Sequence, residues 1–362
     1  MNVRAKNISK IMVMCLAGAG DVLMATPLLK ELRIAFPMAQ IDVLVMQGAA
    51  ARDVLSDNPN VNTVYLHDFK SKNPFSSFYF CLKLRGVYDL SINAYPQNRM
   101  EYNLLAWIIG AKQRVGFRYM VRCGAMERLF QTHTIPEDDS MHVVDNNLRI
   151  IPEFLKLPLS KFSHKLELFP EEKNHLFADD FIKINKLEGK ILVGFHPGSG
   201  VTKNLILKRW PVERWAELAR QLGVDDKVHI LLFGTSDERN LRDDIRRLAG
   251  EKNEHLIEAG GMALMDSASL IGRLNLLVCC DALLSHVAAA MQTPSVVLFG
   301  PTPPNATRPY AARCELVRLD LPCSPCYRFS KRGIRCTNKE FLCCMRSMSE
   351  DNVMESVKRV LV

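Results

Sequence analysis

Short apolar runs alternate along this chain with longer stretches whose apolar positions recur every three to four residues. The run at residues 11–16 predicts a buried strand, and those at 41–45, 61–66 and 90–94 predict further strands. Between them, residues 27–36 place Leu28, Leu29, Leu32 and Phe36 on one helical face. Residues 103–109 predict a helix stopped by Gly110, and residues 143–154 predict another. From Val115 to about residue 140 the pattern is irregular and basic. Residues 158–170 are turn-rich, and residues 171–186 read as a charged helix. The alternation then restarts, with strands at 191–195, 228–233, 276–280 and 295–299, a helix at 212–222 and a final helix at 349–361. Strands alternating with helices imply α/β architecture with parallel sheets. The break near residue 170 divides it into two domains, 1–170 and 171–348. The last segment, 349–362, is long enough to cross back onto the first domain.

Length and composition agree with that division. The chain has 362 residues, enough for two domains of roughly 150–200 residues each. Residues of hydrophobic type make up 48%, so both domains can bury large cores. No segment reaches the ~18 apolar residues of a membrane span. Residues 1–6 lead into a strand rather than into a secretory apolar core, so the expected location is the cytoplasm. There the eleven cysteines are expected mostly reduced. The net charge of +8 is modest, but basic residues cluster at Lys112, Arg114, Arg118 and Arg122, and again at Arg328, Lys331, Arg332 and Arg335. Such clusters suit an anionic ligand or surface, or are simply solvated faces. Nucleic acid is not the expected partner, because no nucleic-acid motif accompanies them.

Three groups of residues carry candidate chemistry. After the first strand comes Gly18-Ala19-Gly20-Asp21, then a helix. A dinucleotide loop would have a third glycine where Leu23 stands, and Asp21 puts a negative charge where a pyrophosphate would sit. The loop therefore offers a carboxylate, either as an acid/base group or as a helix cap. In the second half, His196-Pro197-Gly198-Ser199-Gly200 follows a strand and precedes Lys208-Arg209-Trp210-Pro211. Exposed backbone N–H groups, a hydroxyl and a lysine suit a diphosphate, although a plain strand-to-helix turn has the same pattern. Further on, Asp281 ends a strand, with Ser285 and His286 close behind. Asp237, just after Gly234, stands where a ribose-binding acid is often found. The third group is Cys323-x-x-Cys326, Cys336 and Cys343-Cys344. Cys323, Cys326, Cys336 and Cys344 have the chemistry of a structural metal site, free buried thiols or a disulfide.

These motifs, in this order, resemble glycosyltransferase family 9, the heptosyltransferases of lipopolysaccharide core assembly. The matching residues are Gly18-x-Gly20-Asp21-x-Leu23-x-x-x-Pro27, Ala111-Lys112-x-Arg114-x-Gly116, and His196-Pro197-Gly198-Ser199 with Lys208-Arg209-Trp210-Pro211. They continue through Asp281-x-x-x-Ser285-His286-x-Ala288-Ala289-Ala290, Thr293-Pro294 and Phe299-Gly300-Pro301-Thr302. The resemblance implies a GT-B fold, two Rossmann-like parallel-sheet domains facing a central cleft. It implies an inverting transferase that needs no catalytic metal or other cofactor and uses a nucleotide-diphosphate sugar, typically ADP-heptose. Asp21 would be the base of an acceptor-binding first domain. The second domain would bind the donor through Ser199, Gly200, Lys208, Asp237, Met262, Asp281, Ser285 and His286, with Lys208 also stabilising the leaving diphosphate. Lys112, Arg114, Arg118 and Arg122 would hold an anionic glycolipid or glycan acceptor and give peripheral contact with the cytoplasmic face of the inner membrane. One departure stands out. The family usually has Thr or Ser and then Gly after the later aspartate, where this chain has Ala282 and Leu283. A positive φ at Leu283 would be strained. A different donor, or weakened catalysis in a nucleotide-sugar-binding protein, is the alternative this departure suggests.

Overall fold

The computed structural model describes residues 7–46, 48–119, 127–162, 164–250, 253–310, 312–327 and 333–361. Arg122 of the first basic cluster, and Arg328, Lys331 and Arg332 of the second, lie outside the described residues. The chain divides into two compact units, Met1–Phe169 and Pro170–Val362.

The first unit holds six strands: β1 (Lys10–Cys15), β2 (Gln40–Val45), β3 (Thr63–Leu66), β4 (Leu90–Asn93), β5 (Gln113–Arg118) and β6 (His133–Pro136). They form one sheet in the order β3-β2-β1-β4-β5-β6, every pair parallel. The second unit repeats the plan with β7 (Ile191–His196), β8 (Val228–Leu232), β9 (Leu256–Glu258), β10 (Leu276–Cys280), β11 (Ser295–Leu298) and β12 (Cys314–Val317). Their order is β12-β11-β10-β7-β8-β9, again all parallel. In both sheets the order reverses beside the first strand, between β1 and β4 and between β7 and β10. That switch point leaves a crevice at the C-terminal strand ends, where doubly wound sheets bind ligands.

Burial explains which strands the sequence reveals. The central strands β1, β4, β7 and β10 are buried almost throughout; β1, β7 and β10 are apolar along most of their length, and β4 alternates Leu90 and Ile92 with buried Ser91 and Asn93. The edge strands β3, β6, β9 and β12 are short and partly exposed. The stretch after Val115, expected to be irregular, contains β5 and β6, and the polar residues of these strands mask their pairing. The helix expected over 143–154 is a helix at Val143–Leu148 followed by a wider π turn at Ile150–Leu155.

The turn-rich segment 158–170 closes the first unit. Buried Glu31 accepts the Ser160 N–H at 3.0 Å and faces His164 Nε2 at 3.0 Å, while the Glu167 N–H donates to Thr26 Oγ1 at 3.1 Å. The final helix (Glu350–Leu361), expected on the first domain, belongs to the second unit. Its apolar stripe, Val353, Val357 and Val360, is buried in one cluster with Trp215 of the Val212–Leu222 helix and Val278 and Val296 of the sheet. Burying that stripe there is the only way this mixed polar and apolar helix hides it from water.

Candidate active site

In the first unit, β1 delivers the chain to its switch point. Gly18 begins the Ala19–Met24 helix, and Asp21 Oδ2 accepts the Gly18 N–H at 3.0 Å. Asp21 is half-buried, and its carboxylate both caps the helix and faces the crevice end of the sheet. Its charge is felt nearby. Burial, and then Asp21, push the Cys15 thiol up to about 12. The loop after β4 is fastened to the same place. Asn147 holds both the N–H and the C=O of Tyr95, at 2.8 and 3.1 Å, and Tyr119 Oη accepts the Gln97 N–H at 2.6 Å. Gln97 Nε2 donates to the Met14 carbonyl of β1. Gln97 is only 4% exposed, and its Oε1 has no hydrogen-bond partner among the described residues. Nothing in the local sequence pattern singled it out.

The basic residues of this unit part company. Lys112 precedes β5 and donates to Asp89 Oδ1 at 2.7 Å, where Ser9 also converges. Burial alone would raise the Asp89 pKa, but these hydrogen bonds hold it far below the usual carboxylate range. Arg114 directs its guanidinium to the Phe130 and Ala111 carbonyls, both at 2.8 Å. Lys112 and Asp89 mark the N-terminal edge of the sheet. Arg118 ends β5 at the opposite edge, the edge that carries Asp21.

The second unit gathers its candidate residues at the ends of β7, β8, β9 and β10. Lys208 ends the 3-10 segment Thr202–Lys208 and donates to Asp281 Oδ2 at 3.0 Å. Their side chains are 12% and 6% exposed, so the pair spans the β7–β10 switch point almost out of water. The loop before it is built inward. Ser199 Oγ donates to the Leu205 carbonyl at 3.0 Å and accepts from Arg209 Nε at 3.2 Å. Gly200 is exposed beside it.

Glu238, one residue beyond the expected Asp237, is the buried acid of this region. Asp237 is exposed in the Ser236–Glu238 turn. Glu238 accepts the Thr235 N–H at 3.0 Å and lies 3.6 Å from His196 Nε2 and 3.4 Å from Arg209. Burial opposes its ionisation, but His196, the Thr235 N–H and Arg209 hold it down to about 2. A Cβ on Gly198 would stand 2.0 Å from Glu238 Oε1, so only glycine lets the β7 loop approach this carboxylate. Thr235-x-x-Glu238 is a capping-box pattern, the sequence signal that distinguishes Glu238 from its neighbour. Met262, half-buried, follows Gly261 after β9.

At the β10 end, Ala282 is extended, with φ −152° and ψ 177°, and Leu283 begins the Leu283–Ala290 helix. Leu283 is not among the positive-φ residues, so the anticipated strain is absent. Ser285 Oγ turns back to the Ala282 carbonyl at 2.7 Å, and His286 is buried one residue on.

Cys323, Cys326, Cys336, Cys343 and Cys344 line one small cavity together with Pro301, Ile334 and Leu342. All five are free thiols. Asn338 Nδ2 donates to Cys323 Sγ and the Leu342 N–H to Cys336 Sγ, each at 3.2 Å. Among the described residues no three His, Cys, Asp or Glu side chains stand together as a metal site.

Two six-stranded parallel sheets of this order, each with its polar residues at the switch point, make a two-domain α/β architecture of the GT-B class. The profile of glycosyltransferase family 9 (heptosyltransferase) matches residues 79–333, and the chain belongs to that family. It is 27% identical over 326 residues to lipopolysaccharide heptosyltransferase 2 of Salmonella typhimurium, covering 86% of this chain and 88% of the relative. The solved family 9 glycosyl transferase of Veillonella parvula superposes with a TM-score of 0.75 at 26% identity, over 98% of this chain and 97% of the other. The Escherichia coli ADP-heptose lipopolysaccharide heptosyltransferase II gives a TM-score of 0.75 at 23% identity, over 97% and 98%.

Proposed function

We propose that this enzyme is an inverting, metal-independent heptosyltransferase that moves heptose from ADP-heptose onto a lipopolysaccharide-core or related glycan acceptor. The observation that carries the reading is the buried Lys208–Asp281 pair at the second switch point, in a chain of this family. The names of the relatives supply the sugar, the nucleotide and the acceptor class.

In this reading Asp21 takes the proton of the acceptor hydroxyl as its oxygen attacks the anomeric carbon. The bond to the donor diphosphate breaks on the opposite face, and its electron pair stays on the departing phosphate oxygen. Lys208 and the N–H groups of residues 198–200 stabilise that developing charge, the task a metal ion performs in other transferases. Asp281, paired with Lys208, is placed to accept hydrogen bonds from the sugar hydroxyls. Asp237, Glu238 and Met262, in the segments after β8 and β9, are assigned to the nucleoside, and Ser285 and His286, on the helix after β10, to the remainder of the donor. Arg118 is the described basic residue positioned for an acceptor phosphate or carboxylate.

Asp21→Asn keeps the size and the capping oxygen but removes the proton acceptor. Transfer from ADP-heptose to a lipopolysaccharide-core acceptor should fall by about 100-fold or more, with ADP affinity unchanged. Near-normal transfer by the variant would reject Asp21 as base. Turnover abolished by a chelator and restored by a divalent cation would reject metal independence.

A further inference from the structure

At the switch point of the first sheet, the Gln97 side chain is fixed in place but only half used. Its backbone N–H donates to Tyr119 Oη at 2.6 Å. Its Nε2 donates to the Met14 carbonyl, which also accepts the Ala94 N–H at 3.1 Å. A carbonyl can only accept, so Met14 selects the amide nitrogen and fixes which way the group is turned. That leaves Oε1 as the unspent end, without a partner among the described residues and almost fully buried. The surrounding segment is braced. Asn147 holds Tyr95 by both its N–H and its C=O, and the Tyr95 ring stacks on Tyr119 at 5.7 Å and meets Phe117 edge-on at 5.3 Å. An unpaired buried carbonyl oxygen is costly, and a segment held at this many points keeps that cost instead of relaxing it.

The position of this oxygen says what completes it. Met14 and Asn93 pair at the ends of β1 and β4, so Gln97 lies past the C-terminal strand ends. Asp21 belongs to the same edge: next to Met14, the Cys15 thiol is pushed up by burial and then by the Asp21 charge. After Gln97 the chain comes out to solvent at once, with Asn98 and Arg99 half-buried and Met100 exposed. Asn93 and Gln131 also leave an amide oxygen unpaired. Their nitrogens, however, converge on Asn103 Oδ1 at 3.0 and 2.7 Å, beneath the Met100–Ile109 helix rather than past the strand ends. An amide oxygen accepts from O–H or N–H and offers nothing to a phosphate or carboxylate oxygen. A neutral hydroxyl fits it, and an anionic group does not.

We infer that Gln97 Oε1 accepts a hydrogen bond from a hydroxyl of the glycan acceptor, near the hydroxyl that Asp21 deprotonates, and so selects acceptors that carry it. Gln97 touches the substrate but moves no proton. The inference rests on the proposed function for the role of Asp21 and adds a residue that sets acceptor specificity.

The test uses the whole enzyme and a series of delipidated lipopolysaccharide-core acceptors, each with one hydroxyl replaced by hydrogen. Acceptor affinity is read by calorimetry without donor, and transfer from ADP-heptose is read separately. One deoxy acceptor should bind the wild type about tenfold or more weakly than the parent, because the missing hydroxyl leaves Oε1 buried and unpaired. Gln97→Met, similar in length but without the amide, should bind the parent about as weakly and show no further loss with that deoxy acceptor. ADP affinity should not change. Loss of the Met14 tie alone would weaken every acceptor by the same factor, so the comparison separates recognition from support. Equal affinity of the wild type for the whole series would overturn the inference, and needs no variant. So would normal binding of the parent by Gln97→Met, or a loss in that variant that is the same for every member of the series. The expected binding pattern in an enzyme that transfers no heptose would instead count against the proposed function alone.

Discussion

At the scale of single residues, the Lys208–Asp281 pair is the most consequential feature. With both side chains almost fully buried, removing one leaves the other charged and unpaired. Lys208→Ala should therefore cost about 3–5 kcal/mol of stability, readable by urea denaturation. Lys208→Met with Asp281→Leu removes both charges and should recover most of that stability while ADP affinity stays lost. A double variant that regained ADP binding would show the pair to be structural only. Asp21 and Asp281 stand out in the sequence because each comes at the end of an apolar strand, and Lys208 because it follows a glycine-rich loop and precedes Trp210-Pro211; the roles proposed for them come from the family resemblance. Glu238 was not separated from Asp237, since a one-residue difference in burial depends on the Gly198 backbone arriving from β7. Lys112 and Arg118 looked like one cluster, but a six-residue strand is about 20 Å long and carries its ends to opposite edges of the sheet.

At the scale of elements, the central strands β1, β7 and β10 could be read because two-sided burial makes them nearly continuous apolar runs. The edge strands β6, β9 and β12 could not, because each is short and mixes polar with apolar residues, whereas the edge strand β3 shows through its Val64-Tyr65-Leu66 run. The backbone strain anticipated at Ala282-Leu283 is also absent at this scale, since the chain enters its helix from an extended Ala282 and needs no glycine conformation. A less visible dependence ties the cysteine-lined segment to the loop carrying Lys208. The Ile334 N–H donates to the Lys203 carbonyl at 3.0 Å, and Asn204 Nδ2 returns to the Ile334 carbonyl at 3.2 Å. Gly333, at φ +72°, lies so close that an added Cβ would stand 2.2 Å from the Lys203 oxygen. Gly333→Ala combines a disfavoured backbone with that collision and should cost about 1–3 kcal/mol, in part by displacing residues 203–204. ADP affinity, measured by calorimetry, should fall with it, although residue 333 is not assigned to the donor site. Unchanged affinity would mean that the loop holds its place without this clasp.

At the scale of the whole molecule, the question is whether the second unit is self-sufficient. Its sheet, its switch point and all of the proposed donor residues lie within Pro170–Val362. The final helix completes that unit, as Val353 and Val357 are fully buried, Val360 nearly so, and Met345 and Met348 just before them are also buried. Trp210 Nε1 donates to the Met348 carbonyl at 3.0 Å, and Arg214 pairs with Glu350, so the segment is tied to the helix that follows Lys208. Three buried valines contribute about 5–9 kcal/mol, similar to the entire stability of many domains, about 5–15 kcal/mol. A fragment of residues 170–362 should therefore fold in one cooperative transition and be stabilised by ADP, its melting temperature rising with ligand concentration. Residues 170–349, lacking only the last helix, should show no such transition. If the longer fragment folds but ignores ADP while the intact enzyme responds, the donor site needs residues from the first unit. If the shorter fragment folds as well as the longer one, the C-terminal helix is an accessory to the second core rather than part of it.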